Sequence, residues 1–149
     1  MKALCAFSLV LLTGCSAPPA MDDSTYGASV GIVNHTGNFI YSASANGGGG
    51  HMEAWGAGGP NVCCVMIPRK WYPGMKVPVR WDMPEGSKHI YKEKIVEVEQ
   101  YDDDDGGSLY IHIFPNGEVR LVVSRYAGWS SKHPIPAPVN PDSKAGQSQ

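Results

Sequence analysis

Between residues 28 and 126 apolar and polar positions alternate in short runs, and turn residues separate the runs. Seven runs stand out, at 28–33, 38–45, 62–67, 75–81, 89–100, 108–114 and 118–126, all rich in Val, Ile, Tyr or Trp. A period of two sends successive side chains to opposite faces of a strand, and β-branched and aromatic residues suit a pleated surface. Asn116-Gly117 predicts a tight hairpin between the last two runs, because both residues tolerate the positive φ that such turns require. Asn34-His35-Thr36-Gly37 reads as a turn joining the first two runs into a hairpin, and 102–107 as another hairpin loop. The pattern predicts one all-β domain, a single β-sandwich or partly closed barrel of about seven strands.

Composition narrows the class further. Gly 18 and Pro 12 make up about a fifth of 149 residues, which long helices do not tolerate. A formal net charge of −2 argues against a nucleic-acid partner, which calls for a basic patch or stripe. Lys2 followed by the apolar run 3–12 is too short to span a bilayer and fits a secretory signal. That run ends in Leu12-Thr13-Gly14-Cys15, which resembles the bacterial lipobox. The resemblance implies a signal peptide over 1–14, acylation of Cys15 and, with Ser16 next to it, sorting to the periplasmic face of the outer membrane. Acyl chains contribute about 0.8 kcal/mol per buried methylene, so several of them hold a protein firmly. A lipidated tether is then expected at 15–26, the β domain at 27–129 and a Pro-rich flexible tail at 130–149.

With Cys5 in the signal and Cys15 lipidated, Cys63 and Cys64 remain. Adjacent cysteines cannot tie distant parts of the chain together. They stay buried as thiols, form a vicinal ring or cross-link to a partner, and strand alternation through 62–67 favours buried thiols on opposite faces.

Motifs for chemistry are weak. Gly27-Ala28-Ser29-Val30-Gly31 has the G-x-S-x-G spacing but lacks the strand before and the helix after that expose a nucleophile. His51-Met52-Glu53 with Cys63 and Cys64 departs from the zinc deaminase signature, whose cysteines stand two residues apart. His35, His89, His112 and His133 show no ligand spacing. No catalytic set, metal or cofactor is expected. The segment 46–61, with seven glycines, reads as a long loop. Asp102, Asp103, Asp104 and Asp105 form an acidic loop tip without the spaced ligands of a calcium loop. Trp55, Tyr101 with Asp102–Asp105, and Trp129 are the candidate partner contacts, since aromatic residues on loops anchor interfaces.

One stretch is more specific. Asn61-Val62-Cys63-Cys64-Val65-Met66-Ile67-Pro68-Arg69-Lys70-Trp71-Tyr72-Pro73-Gly74, followed by Val77-Pro78-Val79-Arg80-Trp81, resembles a family of small proteobacterial lipoproteins of mostly unassigned function. Its members combine a lipobox, a Gly-rich stretch, a Cys-Cys-Val strand, Pro-x-x-Trp-x-Pro-Gly and Val-x-Val-x-Trp. Here Cys63, Cys64, Pro68, Trp71, Pro73, Gly74 and Trp81 carry that motif, and the likeness runs from about residue 30 to 134. Some relatives are encoded beside phospholipase effectors of the type VI secretion system. The resemblance therefore implies an immunity protein, tethered by a lipid anchor, that binds and neutralises a phospholipase toxin in the periplasm. The alternative is a structural or accessory envelope lipoprotein supporting a surface or secretion assembly.

Overall fold

The computed structural model describes residues 24–58, 62–102 and 106–142. The expected signal peptide, Cys15, most of the expected tether, Asp103 to Asp105 and the last seven residues lie outside them. The described residues form nine strands: β1 (Thr25–Asn34), β2 (Ile40–Ala45), β3 (Gly48–Met52), β4 (Gly56–Ala57), β5 (Val62–Pro68), β6 (Lys76–Glu85), β7 (Lys88–Glu97), β8 (Ser108–Ile113) and β9 (Val119–Ser124). The fold is all-β, as the alternation predicts, and the strands lie in two sheets.

In the first sheet β1 pairs in parallel with β8, β8 with β9 antiparallel, and β4 and β5 both pair antiparallel with β1. The second sheet runs β3-β2-β6-β7 and is antiparallel throughout. Leu109, Ile111 and Ile113 of β8, with Ile32 and Leu121 beside them, enter a core shared with Ile40, Val79 and Trp81 of the second sheet. The segment after β7 closes one side. Val98 donates its N–H to Met75 O (2.8 Å), and Glu99 donates to Leu121 O of β9 (2.9 Å). The Trp71 indole bolts this seam, donating to Val98 O (2.9 Å) while packing on the core.

Several local expectations change. Asn34-His35-Thr36-Gly37 is a corner that sends the chain from one sheet to the other, not a hairpin turn, because β1 and β2 belong to different sheets. The loop 102–107 likewise connects different sheets. The glycine-rich segment is partly regular, since β3 pairs with β2 and β4 with β1. The domain opens at Thr25, inside the expected tether. It also extends past residue 129, because His133 and Ile135 are buried. Ile135 packs with Val33, Tyr110 and Val122 on the outer face of the first sheet, so residues 126–135 act as a strap over it. Three apolar side chains otherwise facing water supply the driving force for that docking. Asn116-Gly117 does turn β8 into β9, with Gly117 at φ 76°.

Cys63 and Cys64 also differ from the expectation of buried thiols. Both are exposed and joined to each other in a vicinal disulfide. The inward positions of β5 are taken by Val65 and Ile67 instead, and Cys64 lies over Gly27 of β1, which has no side chain to cover it.

Candidate functional site

The two sheets present their outer faces differently. That of the first is covered by the strap around Val33, Tyr110 and Val122 and leaves Cys64 and Met66 of β5 exposed, whereas that of β3-β2-β6-β7 carries exposed side chains along its paired strands. Pairing of β6 with β7 sets five rows there: Lys76 opposite Glu97, Pro78 opposite Ile95, Arg80 opposite Glu93, Asp82 opposite Tyr91 and Pro84 opposite His89. Ser42 and Ser44 of β2 extend two of these rows, beside Asp82 and Arg80. Tyr91 is 77% exposed, and Ile95 and Tyr41 are exposed as well. Ser42, Ser44, Arg80, Tyr91 and Glu93 line a shallow cleft of about 460 Å³.

The electrostatics of this face are uneven. Arg80 and Glu93 neutralise each other through a 2.7 Å ion pair, and Lys76 stands opposite Glu97. Asp82, only 3% exposed, faces Tyr91 instead of a base. Its Oδ2 is 2.6 Å from His89 Nδ1, which donates to it, and its Oδ1 is buried and receives no hydrogen bond from the described residues. The His89 ring lies between Tyr41 and Tyr91, at centroid distances of 4.4 and 6.2 Å.

A second polar cluster lies under the strap, and histidine spacing in the sequence does not reveal it. His35 Nε2 is 3.0 Å from His112 Nδ1, and His112 Nε2 is 3.0 Å from His133 Nε2. His133 Nδ1 donates to Tyr126 O (2.8 Å). A carbonyl only accepts, so with neutral rings His112 donates to His133 and His35 donates to His112. Burial, with His133, His35 and Arg120 adding to it, lowers the His112 pKa to about 2, and burial also lowers that of His35. At the His133 end the chain meets a backbone carbonyl and so fastens the strap. Beside it Arg120 forms a bidentate pair with Glu99 (2.6 and 2.9 Å), which raises the arginine pKa.

The residues singled out in the sequence fall in several places. Tyr101 is no surface anchor: it is buried, with its hydroxyl donating to Pro68 O (2.6 Å), because the chain after β7 turns inward to close the sandwich. Trp55 is half-buried against Gly37, and Trp129 is 63% exposed on the strap. Asp102 is exposed beside the β1–β5 end of the first sheet, whereas Trp55 adjoins β4 at the opposite end of β1. These residues do not converge on one face. Of the motif residues Trp71 and Trp81 pack into the core and Pro68 is half-buried at the end of β5, while Pro73 and Gly74, at φ 80°, make the exposed turn into β6. Tyr41, His89 and Tyr91 were legible only as members of strands. Neither face of β7 is apolar, so alternation alone does not say which side matters.

Fold and faces define a two-sheet all-β protein with one side partly strapped and the other open. Residues 33–121, more than half of the chain, match the family described as Protein of unknown function (DUF3304), and the protein belongs to that family. No curated protein and no solved structure matches the chain.

Proposed function

We propose that the protein binds a protein partner through the open face of β3-β2-β6-β7, and that the partner is a phospholipase toxin of the type VI secretion system. In this reading it is an immunity lipoprotein, held by acylated Cys15 at the periplasmic face of the outer membrane. The observation that carries it is the uncovered face with exposed Tyr41, Tyr91 and Ile95 on paired strands. Tyrosines on a rigid scaffold offer large contact area at low conformational cost, and apolar surface of this kind marks interaction sites. The resemblance to lipoproteins encoded beside phospholipase effectors supplies the class of partner. A blocker tethered to a membrane meets a lipid-degrading toxin where it acts.

The test is co-expression with the adjacent effector directed to the periplasm. Wild type is expected to protect cells and to co-purify with the effector. A Tyr91→Ala/Ile95→Asp double variant, both of whose positions are exposed, is expected to keep its melting temperature and lose both properties. Failure of the wild type to protect or bind overturns the reading.

A further inference from the structure

We infer that Asp82 is the receptor for a basic side chain of the partner, a lysine ammonium or arginine guanidinium that enters between Tyr41 and Tyr91. That the cation belongs to a protein rests on the function proposed above; the site for a cation does not.

Three observations meet at this place. Asp82 lies on an outward-facing row of the sheet yet is almost wholly buried, and one of its carboxylate oxygens receives no hydrogen bond from the described residues. A buried acceptor without a donor is costly, and a cation that completes it recovers that cost on binding. Elsewhere on β6 and β7 the outward charges are matched across the strands, Lys76 with Glu97 and Arg80 with Glu93, while Asp82 has an aromatic ring opposite. The rings of Tyr41 and Tyr91 flank His89, the side chain bonded to the carboxylate, and aromatic faces attract cations. His89 occupies the position now. Its ring is half exposed, sits between the tyrosines and donates to Asp82. It is an internal stand-in for the incoming group: the partner's basic side chain displaces the imidazole and pairs with the carboxylate. A protein partner with a basic, lipid-facing surface would present such a group, whereas a neutral or acidic one would not.

The experiment titrates the purified full-length protein with N-acetyl-lysine methylamide, N-acetyl-arginine methylamide and the uncharged N-acetyl-norleucine methylamide. The ring resonances of Tyr41, His89 and Tyr91 are followed by NMR. Saturable shifts confined to these rings are expected with the two cations, and binding of the norleucine analogue is expected to be at least about tenfold weaker. Tyr91→Ala, at a surface position that does not threaten folding, should weaken the cations about fivefold. Asp82→Asn should remove the preference for charge, and His89→Ala, which deletes the competing ring, should bind the cations at least as tightly as wild type. Equal binding of the norleucine analogue, shifts centred elsewhere, or no effect of Tyr91→Ala overturns the inference. Effector binding separates the two proposals. If the cations bind as described but the effector does not, the receptor site stands and the toxin reading fails. If the effector binds, Tyr91→Ala/Ile95→Asp abolishes that binding and Asp82→Asn leaves it unchanged, the receptor site fails and the toxin reading stands.

Discussion

Asn34 shows how much one side chain can organise. It is fully buried, and its Nδ2 donates to Asn38 O and Glu53 O (both 2.7 Å) while its Oδ1 accepts from the N–H and hydroxyl of Thr36 (2.9 and 2.7 Å). These bonds build the corner between the sheets and tie it to the segment before β4. Asn34→Ala leaves several backbone groups without partners and should lower unfolding free energy by about 2–4 kcal/mol, measured by urea denaturation. At the same corner Gly37 has φ 72°, and a side chain there would meet the Trp55 ring. His112 gives a prediction with a sign. Its pKa is lowered to about 2 in the folded protein from the ordinary 6.5 of the unfolded chain, so below pH 6.5 the unfolded state takes up a proton that the folded state refuses. Stability is therefore full above pH 6.5 and falls as pH drops, by about 1.4 kcal/mol per pH unit, or about 2 kcal/mol between pH 6.5 and 5. His35, shifted in the same direction, adds to the slope. Urea midpoints between pH 7 and 5 check this, and His112→Gln should flatten the dependence by about one proton.

Among the elements, the strap and β3 depart furthest from their sequence appearance. Residues 130–149 read in the sequence as a flexible Pro-rich tail because their apolar content is small, but one isoleucine and one histidine suffice where a prepared surface awaits them. Val33, Tyr110 and Val122 form that surface, and Gly128 fits against Val33, where a Cβ would lie 2.7 Å from its Cγ2. Ile135→Ala should cost about 2–4 kcal/mol. Its effect should be less than additive with His133→Ala, since both hold the same segment; a double-mutant cycle measures the coupling. In β3 glycine content masks a strand. A Cβ at Gly49 would run into the Ala43 carbonyl of β2, so glycine is what permits the close approach of these two strands. Gly49→Ala should therefore force β3 off β2, seen as increased amide exchange over residues 48–52.

For the whole molecule the tether and the open face belong to one proposal, a binding scaffold held at a membrane. Cys15→Ala should move the protein from the membrane to the soluble fraction and abolish labelling by a fatty-acid analogue; an unlabelled wild-type protein would refute the anchor. The sequence by itself determined that the domain is all-β, where most strands run, and that β8 turns into β9 at Asn116-Gly117, because alternation and positive-φ turns are local properties. It also carried the family resemblance through the Cys63–Gly74 stretch. Tertiary structure alone decided that Tyr101 is core, that Cys63 and Cys64 are surface, that three histidines separated by up to 98 positions form one hydrogen-bonded chain, and that Asp82 lies buried beneath His89. Each of these depends on which sheet a strand joins and which of its faces is then covered. Strand pairing across long stretches of sequence sets both, and the alternation within a single strand reads the same whichever face turns inward.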